Sequence, residues 1–141
     1  MTMLTEEARN FNWLLTSFAD ETAGVTDAVA VSSDGILIAR SSNLDQAEGE
    51  QLCAIISGCT SLALAADRAM DGDGLERVIV AMQRGFLFVS AIADGSCLGV
   101  VATRDCDVGS VGYQTTDLVA RVGQLLTPAL REELKLLAKS G

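Results

Sequence analysis

Residues 75–103 read LERVIVAMQRGFLFVSAIADGSCLGVVAT, three apolar runs broken by two short turns. Leu75–Met82, Phe86–Ile92 and Leu98–Thr103 are rich in β-branched and aromatic residues, the composition of strands. Gln83-Arg84-Gly85 and Asp94-Gly95-Ser96 carry turn chemistry. Linkers this short cannot hold a crossover, so the three strands form an antiparallel meander.

Working upstream, Val25–Ser32 (VTDAVAVS) and Ile36–Arg40 flank Ser33-Asp34-Gly35 and read as a hairpin. Between hairpin and meander, Asp45 and Glu48 stand at capping-box spacing and open a helix that runs to about Met70, where Asp71-Gly72-Asp73-Gly74 ends it. A first helix is expected over Thr5–Ala23, with Leu4, Ala8, Phe11, Leu14, Leu15 and Phe18 on one face, Thr5 as cap and Gly24 as stop. Trp13 falls on the opposite side, either as a partner contact or under another helix. The last third is helical, its apolar face including Val108, Val111, Leu118, Val119, Val122, Leu125 and Leu126. Thr127 as N-cap and Pro128 at the first position start a short helical tail over 128–139, with a stripe of Leu130, Leu134 and Leu137. The expectation is one α+β domain spanning 1–141: a five-stranded antiparallel sheet with helices on both faces, in the order α-β-β-α-β-β-β-α.

The second helix contains sixteen consecutive uncharged residues, Gln51–Ala66 (QLCAIISGCTSLALAA), apolar or small all round. Such a helix needs cover on two faces. At 3.6 residues per turn, Leu52, Ile55, Ile56, Cys59, Leu62, Ala63 and Ala66 form a bulky arc expected on the sheet. The opposite arc holds Ala54, Ser57, Gly58, Ser61 and Ala65, with Leu64 on its flank. Small residues admit a second backbone, so this arc reads as a seam with another copy of the chain. The competing readings are a solvated Ser/Thr/Ala surface and cover by the C-terminal helix. Solvent-facing helix positions usually carry Lys, Glu, Arg or Gln, and their absence over four turns favours the seam.

Composition narrows the chemistry. The net charge is −9, with 10 basic and 19 acidic residues and no Lys/Arg cluster, which disfavours nucleic acid or an anionic membrane as primary partner. No signal-peptide pattern and no apolar run of spanning length is evident, so a cytoplasmic protein without direct membrane insertion is expected. There is no histidine, which removes Ser-His-Asp and Cys-His catalysis, and with no C-x-x-C a structural zinc site is not expected. Cys53/Cys59 and Cys97/Cys106 are spaced too far apart along helix or strand to bridge, so reduced thiols are expected. G-x-x-x-x-G-K-[ST] is absent, and Asp71-Gly72-Asp73-Gly74 lacks the closing Glu of a calcium loop. Neither a cofactor nor a metal is expected. Arg77, Arg84, Arg104 and Arg121 are each conceivable as an arginine supplied in trans, Arg84 being the most exposed, but solvated positions explain them better.

The opening amphipathic helix, VTDAVAVSSDGILIAR, the uncharged helix and the 75–103 meander together resemble the roadblock/LC7 family over about Glu6–Leu126. The likeness is greatest to bacterial members that accompany a small Ras-like GTPase. The resemblance implies a roadblock/profilin-like fold and a homodimer formed through the second helix and the edge strand after it. Arg77, Val78, Ile79 and Val80 would then lie at the seam, and the sheet would extend to ten strands. It further implies a non-catalytic platform that binds a GTPase and, in some bacterial members, stimulates GTP hydrolysis by reorganising it rather than by donating a residue. The competing class is a small-molecule sensor with a pocket between sheet and helix. Six aromatic residues (four Phe, one Tyr, one Trp) offer little to line one.

Overall fold

A computed structural model of the chain describes residues 2–92 and 95–140, with side chains described over 9–92 and 95–137. The elements are α1 (Thr2–Glu21), β1 (Val25–Val31), β2 (Leu37–Arg40), α2 (Gln46–Met70), β3 (Arg77–Met82), β4 (Gly85–Ala91), β5 (Cys97–Thr103), α3 (Val108–Leu125) and α4 (Pro128–Ser140). The five strands form one antiparallel sheet in the order β2-β1-β5-β4-β3. The expected α+β architecture is therefore present, with β1 and β5 at its centre and β2 and β3 at its edges.

Alternation along the strands splits the core in two. Ala28, Ala30, Ile38, Phe86, Phe88, Leu98 and Val100 face α1, α3 and α4, whose Phe11, Leu15, Val111, Leu118, Val122, Leu130 and Leu134 complete that layer. Val29, Val31, Leu37, Leu87, Val89 and Cys97 face α2 and meet Cys53 and Ile56. Each fully buried Leu, Ile or Phe contributes roughly 1.5–3 kcal/mol, so the three-helix face carries most of the stability.

Local chemistry sets the element ends. Asp45 accepts from the Glu48 N–H at 2.8 Å while the Glu48 carboxylate accepts from the Asp45 N–H at 3.0 Å, the reciprocal capping box. Asp71 closes α2 in the left-handed region (φ 52). The Asp67 carboxylate accepts the Gly74 N–H at 3.0 Å, tying the following loop to the helix. Thr127 caps α4 through the Leu130 N–H at 3.1 Å.

One expectation is corrected. α1 begins at Thr2, so Thr5 lies inside it rather than at its cap; the side chains of Leu4, Thr5 and Ala8 fall outside the described residues, as does Asp94 of the second turn. α4 is no appendage. Leu130 and Leu134 are 2% exposed, packed in the core shared with α1, and Lys135 reaches Asp34 in the β1–β2 turn at 3.3 Å. Pro128 breaks the helix so that α4 can turn back over α1 and β2.

Gly24 makes the tight entry into β1 with φ +87, and a Cβ there would lie 2.5 Å from Cys106 Cβ. Gly24→Ala is expected to cost about 1–3 kcal/mol, since it combines a left-handed backbone with a backbone-adjacent clash. A denaturant midpoint equal to wild type would show that the turn relaxes.

Candidate functional site: an open strand edge beside an apolar helix face

α2 lies on the sheet, but turned by about one residue from the expected orientation. Gly49, Cys53 and Ile56 are its buried residues, and Thr60 Oγ1 meets Cys97 Sγ at 3.5 Å. The bulky arc does not pack as a unit: Ile55 is 47% exposed and Leu62 76% exposed. The cause lies in the sheet. Ile56 sits above Gly99 of the central strand β5, where a Cβ would be 2.2 Å from Ile56 Cδ1. That notch selects Ile56 as the inward knob and turns Ile55 and Leu62 outward.

Ala54, Gly58, Ser61 and Ala65 are exposed as expected of a seam. They share the outer face with Ile55 and Leu62, which makes it more apolar than the small arc alone. Leu64 is exposed as well, at 39%, and Ser57 is half-buried at the margin. They border a cavity of about 330 Å³ at the β1–β2 turn, lined also by Ser32, Thr60, Ser61 and Cys97. Among the described residues α2 is also the one helix long and apolar enough, by length and composition, to cross a membrane, in contrast to the sequence expectation. Its inner face is committed to the sheet through Gly49, Cys53 and Ile56.

β3 is an edge strand, paired on one side to β4 only. Val78 and Val80 point to the α2 side and are half-buried. Ile79 and Met82 are each 46% exposed. Arg77 is drawn away from the seam by its side chain: its guanidinium donates to the Gly112 carbonyl at 3.1 Å and to Thr116 Oγ1 at 2.7 Å, tying β3 to α3. Its buried Nε has no acceptor. Open strand edges invite further strands, so this edge and the outer face of α2 form the candidate site.

At the opposite edge, side chains of α1 cap two backbone N–H groups. Asn12 Oδ1 accepts the Arg40 N–H at 3.1 Å and Thr16 Oγ1 accepts the Ser42 N–H at 3.1 Å. Four helix residues rise about 6 Å and two strand residues about 6.6 Å, so an i,i+4 pair on α1 matches alternate outward N–H groups beside β2. Nothing in the sequence flagged these two residues, because the match exists only once α1 lies along the edge. Asn12→Ala with Thr16→Val removes both acceptors. A loss of about 1–2 kcal/mol is expected from melting curves, together with species larger than wild type in light scattering as the edge opens. Unchanged melting and size would show that water replaces both bonds.

Trp13 is 67% exposed, so no helix covers it. It stands between a groove of about 320 Å³ beside α3 and one of about 330 Å³ beside β2 and α4. All four cysteines are free thiols. Cys53 donates to the Gly35 carbonyl at 3.0 Å, and burial, aided by the charge of Glu50, pushes its pKa up to about 11, which makes it a poor nucleophile. Arg84 is exposed in the β3–β4 turn and Arg121 pairs with Asp117 at 3.3 Å on the surface of α3.

The comparisons with known proteins agree with this architecture. The Roadblock/LC7 domain model matches residues 11–102. A Roadblock/LC7 domain from Streptomyces avermitilis is 31% identical, with a TM-score of 0.74 over 79% of this chain and 92% of that one. MglB from Myxococcus xanthus superposes with a TM-score of 0.74 at 10% identity, over 82% and 94% of the two chains. Schizosaccharomyces pombe profilin does so at 0.53 and 16%, over 82% and 98%, a likeness of fold alone. No curated protein matches the chain. With the family model covering most of β1 through β5 and a close relative in sequence and shape, the chain belongs to the Roadblock/LC7 family.

Proposed function

We propose that the chain is a cytoplasmic, homodimeric, non-catalytic scaffold that binds and regulates a small Ras-like GTPase. The observation that carries this reading is the open strand edge of β3 beside an α2 outer face bearing exposed Ile55 and Leu62. A monomer gains nothing from leaving both bare. The GTPase partner is supported by the sequence likeness to bacterial roadblock members that accompany one. Regulation would then proceed by shaping the GTPase, since the candidate site presents backbone and aliphatic groups rather than a nucleophile or an acid–base pair.

Light scattering at tens of micromolar is expected to give a dimer; a strict monomer sinks the assembly. Co-purification with the host's small GTPases, each loaded with GTP or GDP, is expected to retain one of them in a nucleotide-dependent way. The sensor alternative draws on the cavity between α2 and the β1–β2 turn, about 330 Å³ with hydroxyls from Ser32, Thr60 and Ser61. Absence of GTPase binding in either state, with a thermal shift on adding polar metabolites, favours it instead.

A further inference from the structure

Between α3 and the β3–β4 pair, three buried polar atoms have no hydrogen-bond partner among the described residues: Arg77 Nε, Ser90 Oγ and Thr115 Oγ1. Ser90 is 4% exposed and Thr115 is fully buried. Buried polar side-chain atoms are bonded in the large majority of cases, so three orphans in one layer call for a common cause.

The backbone places them together. Arg77 and Ser90 are register partners on β3 and β4, so their side chains share a face of the sheet. Across the β4–β5 turn the Ile92 N–H donates to the Ser96 carbonyl at 2.7 Å. Ile92 and, by alternation, Ser90 therefore turn their backbone groups to β5. That makes Arg77 and Ser90 a non-hydrogen-bonded pair, with Cα atoms about 4.5 Å apart and side chains at their closest. Phe88 and Ile92, two residues to either side of Ser90, lie in the α3 layer of the core. The Arg77 guanidinium reaches the same layer, donating to the Gly112 carbonyl and to Thr116 Oγ1. Those two acceptors bracket Thr115, which is buried on the inner face of α3 with Val111 and Leu118. Gly112 makes room for the guanidinium, since a Cβ there would stand 2.9 Å from Arg77 Nη1.

The chemistry of the three atoms defines what joins them. The Nε–H only donates, and among the described residues no carboxylate pairs with Arg77. Each hydroxyl donates one bond and accepts others. The bridging group must accept from Nε–H and exchange bonds with two hydroxyls in different directions. Water does so with two lone pairs and two protons, and internal waters typically make about three bonds to groups otherwise unsatisfied. A halide would accept from all three, but it would shed its hydration beside an apolar layer in a chain of net charge −9.

We infer that Arg77 Nε, Ser90 Oγ and Thr115 Oγ1 bind one internal water molecule, which completes the anchor of the edge strand β3 on α3. The site lies within one chain and does not depend on the assembly proposed above.

A high-resolution crystal structure is expected to show one ordered water within about 3.2 Å of all three atoms. Crystals grown in bromide separate water from an anion: anomalous scattering at the site means a halide and overturns the proposal. So does a site without solvent density, with both hydroxyls bonded to protein. In solution the sign of two small changes is the readout. Thr115→Val and Ser90→Ala each remove a hydroxyl with little change of shape. With the water in place, each lowers the melting temperature by about 3 °C or more. The double variant then loses less than the sum, because the water leaves with the first hydroxyl. Dry, unpaired hydroxyls give the opposite sign, since each change deletes an unsatisfied buried group. Unchanged or raised melting in both single variants overturns the water site.

Discussion

Gly99→Val is expected to be the most destabilising of the point changes considered, by about 3 kcal/mol or more. A Cβ at position 99 would stand 2.2 Å from Ile56 Cδ1, 3.1 Å from Ile56 Cγ1 and 3.3 Å from Val29 Cγ2. Neither neighbour has room to retreat, because Ile56 and Val29 are both fully buried. Overpacking of this kind usually costs 1–3 kcal/mol, and two further methyl groups in a central strand put Val at or above the top of that range. For a chain of this size the fall in melting temperature should be about 10 °C. Gly99→Ala combined with Ile56→Ala provides the control. Each change alone destabilises, one by a clash and the other by a cavity, but the pair should cost less than their sum, since each relieves the other's defect. Strict additivity would mean that the notch over Gly99 does not position α2.

That notch also explains why one part of the fold was legible in the sequence and another was not. The meander, the hairpin, the capping box at Asp45 and the Thr127-Pro128 start of α4 are local signals, each written within a few residues. The rotation of α2 is not local. From Gln51 to Ala66 the helix is apolar or small on every side, so periodicity offers no unique inward face. The face is chosen by a missing side chain on β5, far along the chain. The same holds for Asn12 and Thr16, whose role depends on α1 running beside β2. Arg77 illustrates the limit most sharply. Its place on a strand was legible and its place at the edge was implied by the resemblance, but its bond to the Gly112 carbonyl was not, because nothing in the sequence marks an arginine and a glycine 35 positions apart as neighbours.

The two edges of the sheet are treated differently, and the difference has consequences for assembly. Were both open, each chain would offer two isologous surfaces and copies would add without end. Side chains of α1 cap the Arg40 and Ser42 N–H groups at the β2 edge, and no such cap is seen on β3 among the described residues.

Gly58→Arg separates the seam from the fold. No atom lies within 4 Å of a Cβ built at Gly58, and the residue sits on the outer face of α2 between Ala54 and Ser61. Within one chain, therefore, the new side chain extends into solvent without a clash. It also replaces glycine in a helix interior, which is worth roughly 0.5–1 kcal/mol in favour of the helix. The monomer should melt at or slightly above the wild-type monomer's temperature. If the outer face of α2 is the seam of the proposed dimer, the same change puts a guanidinium into a surface lined by Ala54, Ser61 and Ala65. Burying an unpaired charge costs several kcal/mol, so self-association should weaken by about 100-fold or more, on the rule that 1.4 kcal/mol is a tenfold change. Sedimentation or light scattering across a dilution series reads the shift, and a chemical melt of the dilute sample reads the fold. A folded, monomeric Gly58→Arg protein is the expected result. Gly58→Ala should leave assembly intact and stabilise the chain, which distinguishes charge and bulk at the seam from any general sensitivity of α2. A dimer that survives the arginine at wild-type affinity would remove the outer face of α2 from the interface.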